Sequence, residues 1–235
     1  MTYPSKKVVG IILCRSNSSR LKNKLKLRIE RKTFFEFYLD RLLKCKNIDD
    51  YIIATTKNKK DNFFEKFAKK RNIQIFRGSE NNVLKRMVDA YKNLNKKYEV
   101  IVRCNSDNIL IMPSILDLDI NNFLKSNSDF FSPFNKNQIP FGYSSTLFKS
   151  KKLIDLSKKK LKKKYKEHVD NYFIENENKF KILKKYNKKY FCPNLFLTLD
   201  TRFDLNRIKY FASKIKNVEI NKQPKKVIDI FNKLK

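Results

Sequence analysis

The sequence lacks tryptophan and has only three glycines and one histidine among its 235 residues. The single histidine, His168, has no cysteine near it, and the four cysteines are widely scattered without a C-x-x-C pair. These spacings argue against a zinc site and give no disulfide pattern. The apolar run VVGIIL is too short for a signal peptide, and no run approaches the ~18 residues of a membrane span. We therefore expect a cytoplasmic protein without membrane insertion.

Negative charge is also scarce, with 23 acidic residues against 55 lysines and arginines and a net charge of +32. Such an excess is typical of nucleic-acid-binding proteins. The alternative is compositional drift, because lysine, asparagine, isoleucine and phenylalanine are abundant along the whole chain. The densest cationic block, residues 158–166, falls in a predicted surface helix, and no recognised nucleic-acid motif accompanies it. We favour drift and expect no specific nucleic-acid partner.

Apolar runs and helical patterns alternate in the first half of the chain. Strands are predicted at residues 8–14, 51–55, 74–76 and 100–104. Helices are predicted after a capping box at Thr33 and Glu36, from Asn58 or Asp61 to Lys70, over residues 82–94, and from about Pro113. Repetition of strand, helix and strand with buried strands predicts an α/β fold, a mostly parallel mixed sheet with helices on both faces.

The second half is less regular. The patterns predict a loop at residues 135–143, a strand at 144–148, a lysine-rich helix, a helical segment at 168–175, a final strand at 195–199, and a helix reaching Lys214. No linker rich in glycine, serine or proline divides the chain. We therefore predict one domain over residues 1–235, with residues 135–175 as an inserted segment that shapes the substrate site.

Charged and hydrogen-bonding side chains follow several of these strands where each ends. In parallel α/β sheets, ligands bind beyond the carboxyl ends of the strands. The loop after the first strand is rich in cations and donors suited to a polyphosphate: Arg15, Ser16, Asn17, Ser18, Ser19, Arg20, Lys22 and Lys24. Later strands are followed by Arg77, Gly78 and Ser79, by Asn105, Ser106 and Asp107, and by Asp200. Their common edge predicts an anion site.

Two of these strand-end residues, Asp107 and Asp200, are candidate metal ligands. Mg²⁺ takes one or two protein carboxylates and completes its coordination with phosphate and water. A strand-end aspartate can also cap a turn or helix, and a cationic loop can be a solvated surface. The joint placement of carboxylates and cations at one sheet edge favours a magnesium–triphosphate site.

Six blocks of the sequence, in order, resemble those of a known enzyme family. IILCRSNSSRLKNKLKL resembles the opening of the cytidylyltransferases related to spore-coat polysaccharide protein F and, more distantly, of the CMP-ketodeoxyoctonate and CMP-acylneuraminate synthetases. IDDYIIATTKNKKD, FRGSENNVLKRMVDAYK and VIVRCNSDNILIMP follow at the family's spacing, and KEHVDNYF and LTLDTRFDLNRIK resemble its later blocks. The resemblance covers nearly the whole chain.

The resemblance implies a Rossmann-like nucleotide-diphospho-sugar transferase fold and a magnesium-dependent reaction. An acceptor oxygen would attack the α-phosphorus of CTP, and pyrophosphate would leave. Catalytic roles fall on Arg15, Arg20, Lys24 and Asp107. Nucleotide binding is predicted for Leu13, Arg15, Asn17, Ser18, Ser19, Arg20, Lys24, Arg77, Gly78, Ser79, Asn105 and Ser106. Acceptor binding is predicted for Arg103, Glu167 and His168, and Mg²⁺ binding for Asp107 and Asp200.

The chain departs from the family pattern within the proposed phosphate loop. Asn17 and Asn23 replace loop glycines, Lys22 replaces a proline, and Ser106 replaces the glycine before the metal aspartate. Asparagine is the non-glycine residue that best tolerates a positive φ, so the two loop changes are compatible with the backbone. The surviving carboxylates and cations favour an active enzyme.

Several alternatives stay open at this stage. The acceptor is a small molecule, either a sugar acid or a phosphorylated compound of a surface-glycan pathway, or a non-sugar phosphate or phosphonate. A non-catalytic relative that binds nucleotide or glycan intermediates is the second hypothesis, and a nucleic-acid-binding protein the third. A homodimer is an open option for the oligomeric state.

Overall fold

A six-stranded mixed sheet is the centre of the fold. The computed structural model describes residues 7–133, 139–184 and 188–234. The strands are β1 Val8–Leu13, β2 Arg28–Ile29, β3 Lys32–Thr33, β4 Asp50–Thr56, β5 Gln74–Gly78, β6 Val100–Asn105, β7 Phe130–Phe131 and β8 Thr146–Lys149. The sheet has the order β5-β4-β1-β6-β8-β7, while β2 and β3 pair separately. The first four strands of that order are parallel, and β8 and β7 are antiparallel to their neighbours.

Helices follow the strands along the chain. They are α1 Phe34–Leu42, α2 Glu65–Lys70, α3 Val83–Lys92, α4 Pro113–Lys125, α5 Ser150–Ser157, α6 Lys163–Glu167, α7 Val169–Glu175, α8 Arg202–Ile215 and α9 Gln223–Lys233. Short 3₁₀ helices lie at Lys24–Lys26, Lys59–Phe64, Glu177–Lys179 and Lys188–Tyr190. In the described part of the chain, no helix is long and apolar enough to cross a membrane.

The two faces of the sheet carry separate hydrophobic cores. Successive side chains of a strand point to opposite faces. In β1, Ile12 accordingly packs into one core with α1, α4, α8 and α9, whereas Ile11 packs into the other with α3, α5 and α7. All of β1 is buried, as expected for a central strand covered on both faces. This arrangement confirms the predicted α/β class and the helices on both faces.

The predicted strands of the first half are confirmed as β1, β4, β5 and β6, and the predicted strand at 144–148 as β8. The helix predicted to begin at Asn58 or Asp61 is a 3₁₀ helix capped by Asn58, which continues into α2. Only half of the capping box forms, because Thr33 accepts from the Glu36 backbone while the Glu36 carboxylate pairs with Lys70. Residues 135–138 of the predicted loop lie outside the described residues.

Two predictions of secondary structure are wrong. Residues 195–199 do not form a strand of the sheet. They are an extended segment, and among the described residues its one β-bridge joins Phe196 to Phe141, a loop residue. The lysine block does not form one helix either, since α5 ends at Ser157 and α6 begins only at Lys163. Lysines three and four residues apart repel one another on a helix, which accounts for the break.

Candidate active site

A cavity of about 340 Å³ opens where β1 and β6 end, side by side, at Leu13 and Asn105. Its volume lies within the range of small-molecule sites, roughly 300–1,000 Å³. Most of the predicted site residues line it: Leu13, Arg15, Asn17, Ser18, Ser19, Arg20, Lys24, Arg103, Asn105, Ser106, Asp107, Glu167, His168 and Asp200. The tertiary structure therefore brings the cationic loop and both candidate metal ligands together.

A cluster of two carboxylates and two cations lines the cavity. Lys24 Nζ lies 3.0 Å from Asp107 Oδ2 and 3.0 Å from Asp200 Oδ1. Arg20 Nη2 lies 2.9 Å from the same Asp200 oxygen. Burial alone would lower the pKa of Lys24, but the charges of Asp107 and Asp200 outweigh it and raise that pKa. Lys24 is therefore a firmly charged ammonium held between two carboxylates.

The loop after β1 is anchored by a buried carboxylate that the sequence did not reveal. Asp61 Oδ1 accepts from the Ser16 backbone at 2.7 Å, and its other oxygen accepts from Thr55 Oγ1 at 3.1 Å and from the backbone of Thr56 at 3.3 Å. Burial alone would raise the pKa of Asp61, but hydrogen bonds from Thr56 and Ser16 outweigh it and lower that pKa. An ionised Asp61 thus holds the start of the cationic loop against β4.

The residues that replace family glycines fit their positions. Asn23 has φ 54° and ψ 25°, the left-handed conformation in which asparagine substitutes best for glycine. Asn17 is outside the left-handed region, and its Nδ2 donates to Glu80 Oε1 at 2.9 Å. Ser106 donates from its backbone and from Oγ to the Leu13 carbonyl, at 3.1 Å and 2.7 Å. The serine hydroxyl is thus satisfied by the end of β1.

The extended segment at residues 195–199 carries Asp200 to the cavity. Leu195, Leu197 and Leu199 are fully buried in the core, and the alternate residues Thr198 and Asp200 line the cavity. The segment is held by hydrogen bonds from Phe141 to the Leu195 carbonyl at 2.8 Å and from Leu197 to the Phe141 carbonyl at 2.7 Å. The alternation of buried and outward residues, which resembled a sheet strand, therefore places the carboxylate of Asp200 in the cavity.

Backbone contacts at both ends fix the position of Asp200. Leu199 donates to the Asp107 carbonyl at 2.9 Å, which ties the two carboxylate-bearing segments together. Asp204, in the first turn of α8, accepts from the backbones of Asp200 and Thr201 at 3.2 Å and 2.8 Å. Thr201 caps the same helix in a complete capping box. The carboxylate pair is thus held by the start of α8 as well as by the sheet edge.

The opposite wall comes from the segment around α6 and α7. Arg15 Nη2 lies 3.3 Å from Glu167 Oε1, and the exposed His168 follows at the end of α6. Arg103 Nη1 donates to Asp170 at 2.7 Å, and the buried Nε of Arg103 has no hydrogen-bond partner among the described residues. These predicted acceptor-binding residues lie in the same cavity as the cationic loop.

Arg77, Gly78 and Ser79 do not line this cavity. Arg77 donates to the carbonyls of Thr56 and Asn58, at 3.2 Å and 2.8 Å, and thereby braces the segment after β4. Ser79 Oγ accepts from the Asn82 backbone at 3.1 Å. The physical reason is sheet order: β5 is the edge strand, two positions from β1 and so about 10 Å away. Their role in nucleotide binding stays a prediction from the sequence.

Sequence reasoning missed Arg86, which lines the cavity although it belongs to an otherwise apolar face of α3. Its guanidinium is buried, donates to the Ser79 and Glu80 carbonyls, and keeps a partnerless Nε among the described atoms. Burial lowers the pKa of Arg86 to about 10, so it stays charged at neutral pH. The signal in the sequence that could have revealed Arg86 is an arginine on the buried side of an amphipathic helix. Phe141, Thr198 and Asn108 also line the cavity and carried no comparable signal.

The donor set of the cluster fits a hard divalent cation. Among the described residues, no group of three or more histidine, cysteine, aspartate and glutamate side chains gathers to hold a metal. Asp107 and Asp200 supply two carboxylates close to one point, which matches the ligands that Mg²⁺ takes from a protein when phosphate and water complete its coordination. The cluster contains no thiolate or imidazole, the ligands that softer transition metals prefer.

Comparisons with known proteins agree with this geometry. The family model of the cytidylyltransferases matches residues 9–226. An uncharacterized protein of Methanocaldococcus jannaschii is 36% identical over 231 residues, 97% of this chain and 91% of that protein. The spore coat polysaccharide biosynthesis protein SpsF of Bacillus subtilis is 28% identical over 212 residues, 89% of this chain and 82% of that protein.

A solved structure agrees over the whole fold. A cytidylyltransferase from Leptospira borgpetersenii superposes with a TM-score of 0.87 at 29% identity, covering 97% of this chain and 94% of that one. The family match spans the cationic loop, both candidate metal ligands and the wall around α6. The chain therefore belongs to the cytidylyltransferase family, the CTP-dependent nucleotidyltransferases with a Rossmann-like α/β fold.

Proposed function

We propose that the protein transfers the cytidylyl group of CTP to a small anionic acceptor, in the presence of Mg²⁺, and releases pyrophosphate. The observation that carries the proposal is the cluster of Arg20, Lys24, Asp107 and Asp200 inside one cavity. Cations next to a carboxylate pair suit a magnesium–triphosphate complex, which needs both kinds of group within a few ångströms.

The cations of the loop would act on the triphosphate. An acceptor oxygen attacks the α-phosphorus, the bond to the bridging oxygen breaks, and the electron pair of that bond leaves on pyrophosphate. Negative charge on the leaving group grows during this step, so fixed cations stabilise the transition state more than the ground state. Arg15, Arg20 and Lys24 are the cations proposed for this role. Phosphate oxygens would take over from the carboxylates as partners of Arg20 and Lys24.

Asp107 and Asp200 are the residues that would hold Mg²⁺. When bound, the metal neutralises phosphate charge and helps to orient the triphosphate. Both carboxylates already share one cation, Lys24, which supports a site built for positive charge. The hydrogen bonds that tie Asp200 to α8 and Leu199 to Asp107 hold these two side chains in place.

The wall formed by Arg103, Glu167 and His168 is proposed to bind the acceptor. Arg103 is largely buried, and its unpartnered Nε favours an acceptor that brings a carboxylate or phosphate group. Phe141, Glu167 and His168 all belong to residues 135–175, and their presence in the cavity supports the proposal that this segment shapes the substrate site. Both cores share one sheet, which supports a single domain.

The biological role is proposed from similarity and from the cysteines. SpsF, to which the chain is 28% identical, is named as a spore coat polysaccharide biosynthesis protein. We extend this to an activated precursor for a surface glycan. Cys14, Cys45 and Cys104 are free and buried, which suits a reducing compartment and supports the cytoplasm as the location.

A pyrophosphate-release assay tests the proposal. The purified protein is incubated with each of the four nucleoside triphosphates, with Mg²⁺ or with EDTA, and with pooled sugar acids and sugar phosphates. Release only with CTP, Mg²⁺ and an acceptor is the expected result. CTP binding without any release would show a non-catalytic relative instead. If the protein does not bind CTP and releases no pyrophosphate from it, the proposal is overturned.

A further inference from the structure

A second cavity, of about 270 Å³, lies between α3 and the segment that links α5 to α6. We call it the basic groove and define it by its charged residues: Lys85, Asp89, Lys92, Lys158, Lys159 and Lys166. Five lysines thus face one carboxylate. The groove is on the sheet face opposite α1, α8 and α9, and it is separate from the active-site cavity.

Three of these lysines have no carboxylate partner in the part of the chain that the structure describes. Lys85 pairs with Asp89 at 2.6 Å and Lys158 with Asp155 at 3.3 Å. Among the described residues, no ion pair involves Lys92, Lys159 or Lys166; Lys159 Nζ lies only over the Tyr172 ring, at 5.9 Å. The groove therefore gathers uncompensated positive charge in a concave space.

The fold holds these ammonium groups near one another at some electrostatic cost. Positions 85, 89 and 92 lie on one face of α3, since residues three and four apart are neighbours on a helix. The break after Ser157 turns the lysine-rich segment back toward α3, which contacts both α5 and α6. Leu84, Val88 and Leu161 form the apolar part of the lining, and low-polarity surroundings strengthen the field of the cations.

We propose that the basic groove binds a linear oligophosphate, an anion of two or three linked phosphate groups. Such an anion offers several closely spaced charges to three unpaired ammonium groups. The cavity is slightly smaller than a typical small-molecule site, about 300 Å³ or more, so it suits a compact anion. A nucleic acid duplex or a membrane surface would meet only the rim of this concavity.

The groove adjoins the active site through chain neighbours. Lys166 precedes Glu167, which pairs with Arg15 in the active-site wall, and Asn82 precedes Val83, which lines the active-site cavity. Pyrophosphate from the transfer reaction is one source of such an anion, and longer free oligophosphates are another. Binding to the groove does not depend on catalysis, so its test is separate from that of the proposed function.

Isothermal titration calorimetry with tripolyphosphate and, separately, with pyrophosphate tests the proposal. The titrations use EDTA and about 0.15 M salt, which screens loose surface binding. The variant K92Q/K159Q/K166Q removes the groove charges. The matched control K209Q/K225Q/K226Q removes three exposed lysines of α8 and α9. The variant R20Q/K24Q removes two cations of the active site, and circular dichroism checks the fold of each.

The wild type is expected to show two classes of site for tripolyphosphate. R20Q/K24Q should keep the groove site, whereas K92Q/K159Q/K166Q should weaken it by about tenfold or more and keep CTP binding. Tighter binding of pyrophosphate at this site would identify the transfer reaction as the source of the anion. Tighter binding of tripolyphosphate would identify longer free oligophosphates. Unchanged oligophosphate binding in K92Q/K159Q/K166Q, or a loss no larger than in the control, would overturn the proposal. Single K166Q serves if the triple variant does not fold. Tighter binding of duplex DNA or anionic vesicles through the same lysines would refute the ligand class.

Discussion

Lys24 and Asp200, 176 positions apart in the sequence, meet in a contact of 3.0 Å between Nζ and Oδ1. Arg20 shares the same carboxylate oxygen, and Asp107 shares the same ammonium. The four side chains thus form one electrostatic unit. Removing Lys24 takes from Asp107 its contact in the cluster, and removing Asp200 does the same to Arg20, so the effects of single substitutions in this cluster should not be additive.

Lys24→Ala should weaken CTP binding or slow transfer by about 100-fold, since it removes charge stabilisation from the triphosphate. Arg20→Ala should act in the same direction. Lys22→Ala is the matched control, because Lys22 is exposed and does not line the cavity. Equilibrium binding of CTP and pyrophosphate release measure the two effects. If CTP affinity and rate are both unchanged in Lys24→Ala, the loop is only a basic surface.

Asp107→Asn should lower turnover by about 100-fold or more without unfolding the protein, since an amide replaces a charged ligand of the proposed metal. Asp229→Asn, on the exposed side of α9, is the control for loss of a carboxylate. Turnover as a function of Mg²⁺ concentration and thermal melts are the measurements. Near-normal turnover and metal dependence in Asp107→Asn would remove the metal assignment.

Gly142→Ala should destabilise the protein by about 1–2 kcal/mol, because Gly142 has a left-handed φ that a β-carbon disfavours. That β-carbon would also lie 3.2 Å from the Leu197 carbonyl carbon, in the segment that leads to Asp200. Activity should therefore fall together with stability in urea unfolding. The control Ser213→Ala, at an exposed position of α8, should change neither activity nor stability. If Gly142→Ala is as stable as the wild type, the predicted strain is contradicted.

Asp119→Asn should make the protein more stable near neutral pH. Burial raises the pKa of Asp119 from its ordinary 3.8 to about 7, and the Ser144 hydrogen bond offsets only part of that effect. Between pH 3.8 and about 7, Asp119 keeps its proton in the folded protein and loses it in the unfolded chain. The free energy of unfolding therefore falls by up to about 1.4 kcal/mol for each unit by which the pH rises.

Denaturant titrations from pH 4 to pH 7 measure the contribution of Asp119 to the free energy of unfolding. The stability difference between Asp119→Asn and the wild type should grow as the pH rises through this window. Above the folded-state pKa it should level off, because both states are then ionised. A difference that is constant from pH 4 to pH 7 would show that Asp119 does not titrate in this way.

Non-specific binding to polyanions is expected from a chain of net charge +32, so a gel shift at low salt is uninformative. We predict that nucleic-acid binding fades by about 0.15 M salt, where the Debye length is about 8 Å. CTP with Mg²⁺ should stay bound at that salt, because directed contacts in a cavity hold it. Sequence-selective, submicromolar binding of RNA or DNA without CTP affinity would reverse the ranking of functions.

Much of the fold was predictable because burial on both faces leaves a simple pattern. The apolar run of β1 and the helical spacing of α1 and α3 determine the alternation of strands and helices. The same pattern gave a wrong prediction at residues 195–199. Three leucines there are buried and alternate with outward residues, as they would in a strand. Only the chain that lies beside such a segment decides whether a ladder forms, and here it is the loop residue Phe141.

The sequence by itself determined that the cationic loop and Asp107 follow strands at one sheet edge, because the ends of these strands can be located from the hydrophobic pattern alone. Only the tertiary structure decided which of them meet. Sheet order places the ends of β1 and β6 together and leaves Arg77, after the edge strand β5, outside the cavity. Packing directs Arg86 into the cavity and Lys24 between Asp107 and Asp200. The physical reason is that a contact between two side chains depends on which strands are neighbours and on the rotamers of the side chains. Both are set by the packing of the whole chain and not by the local sequence pattern.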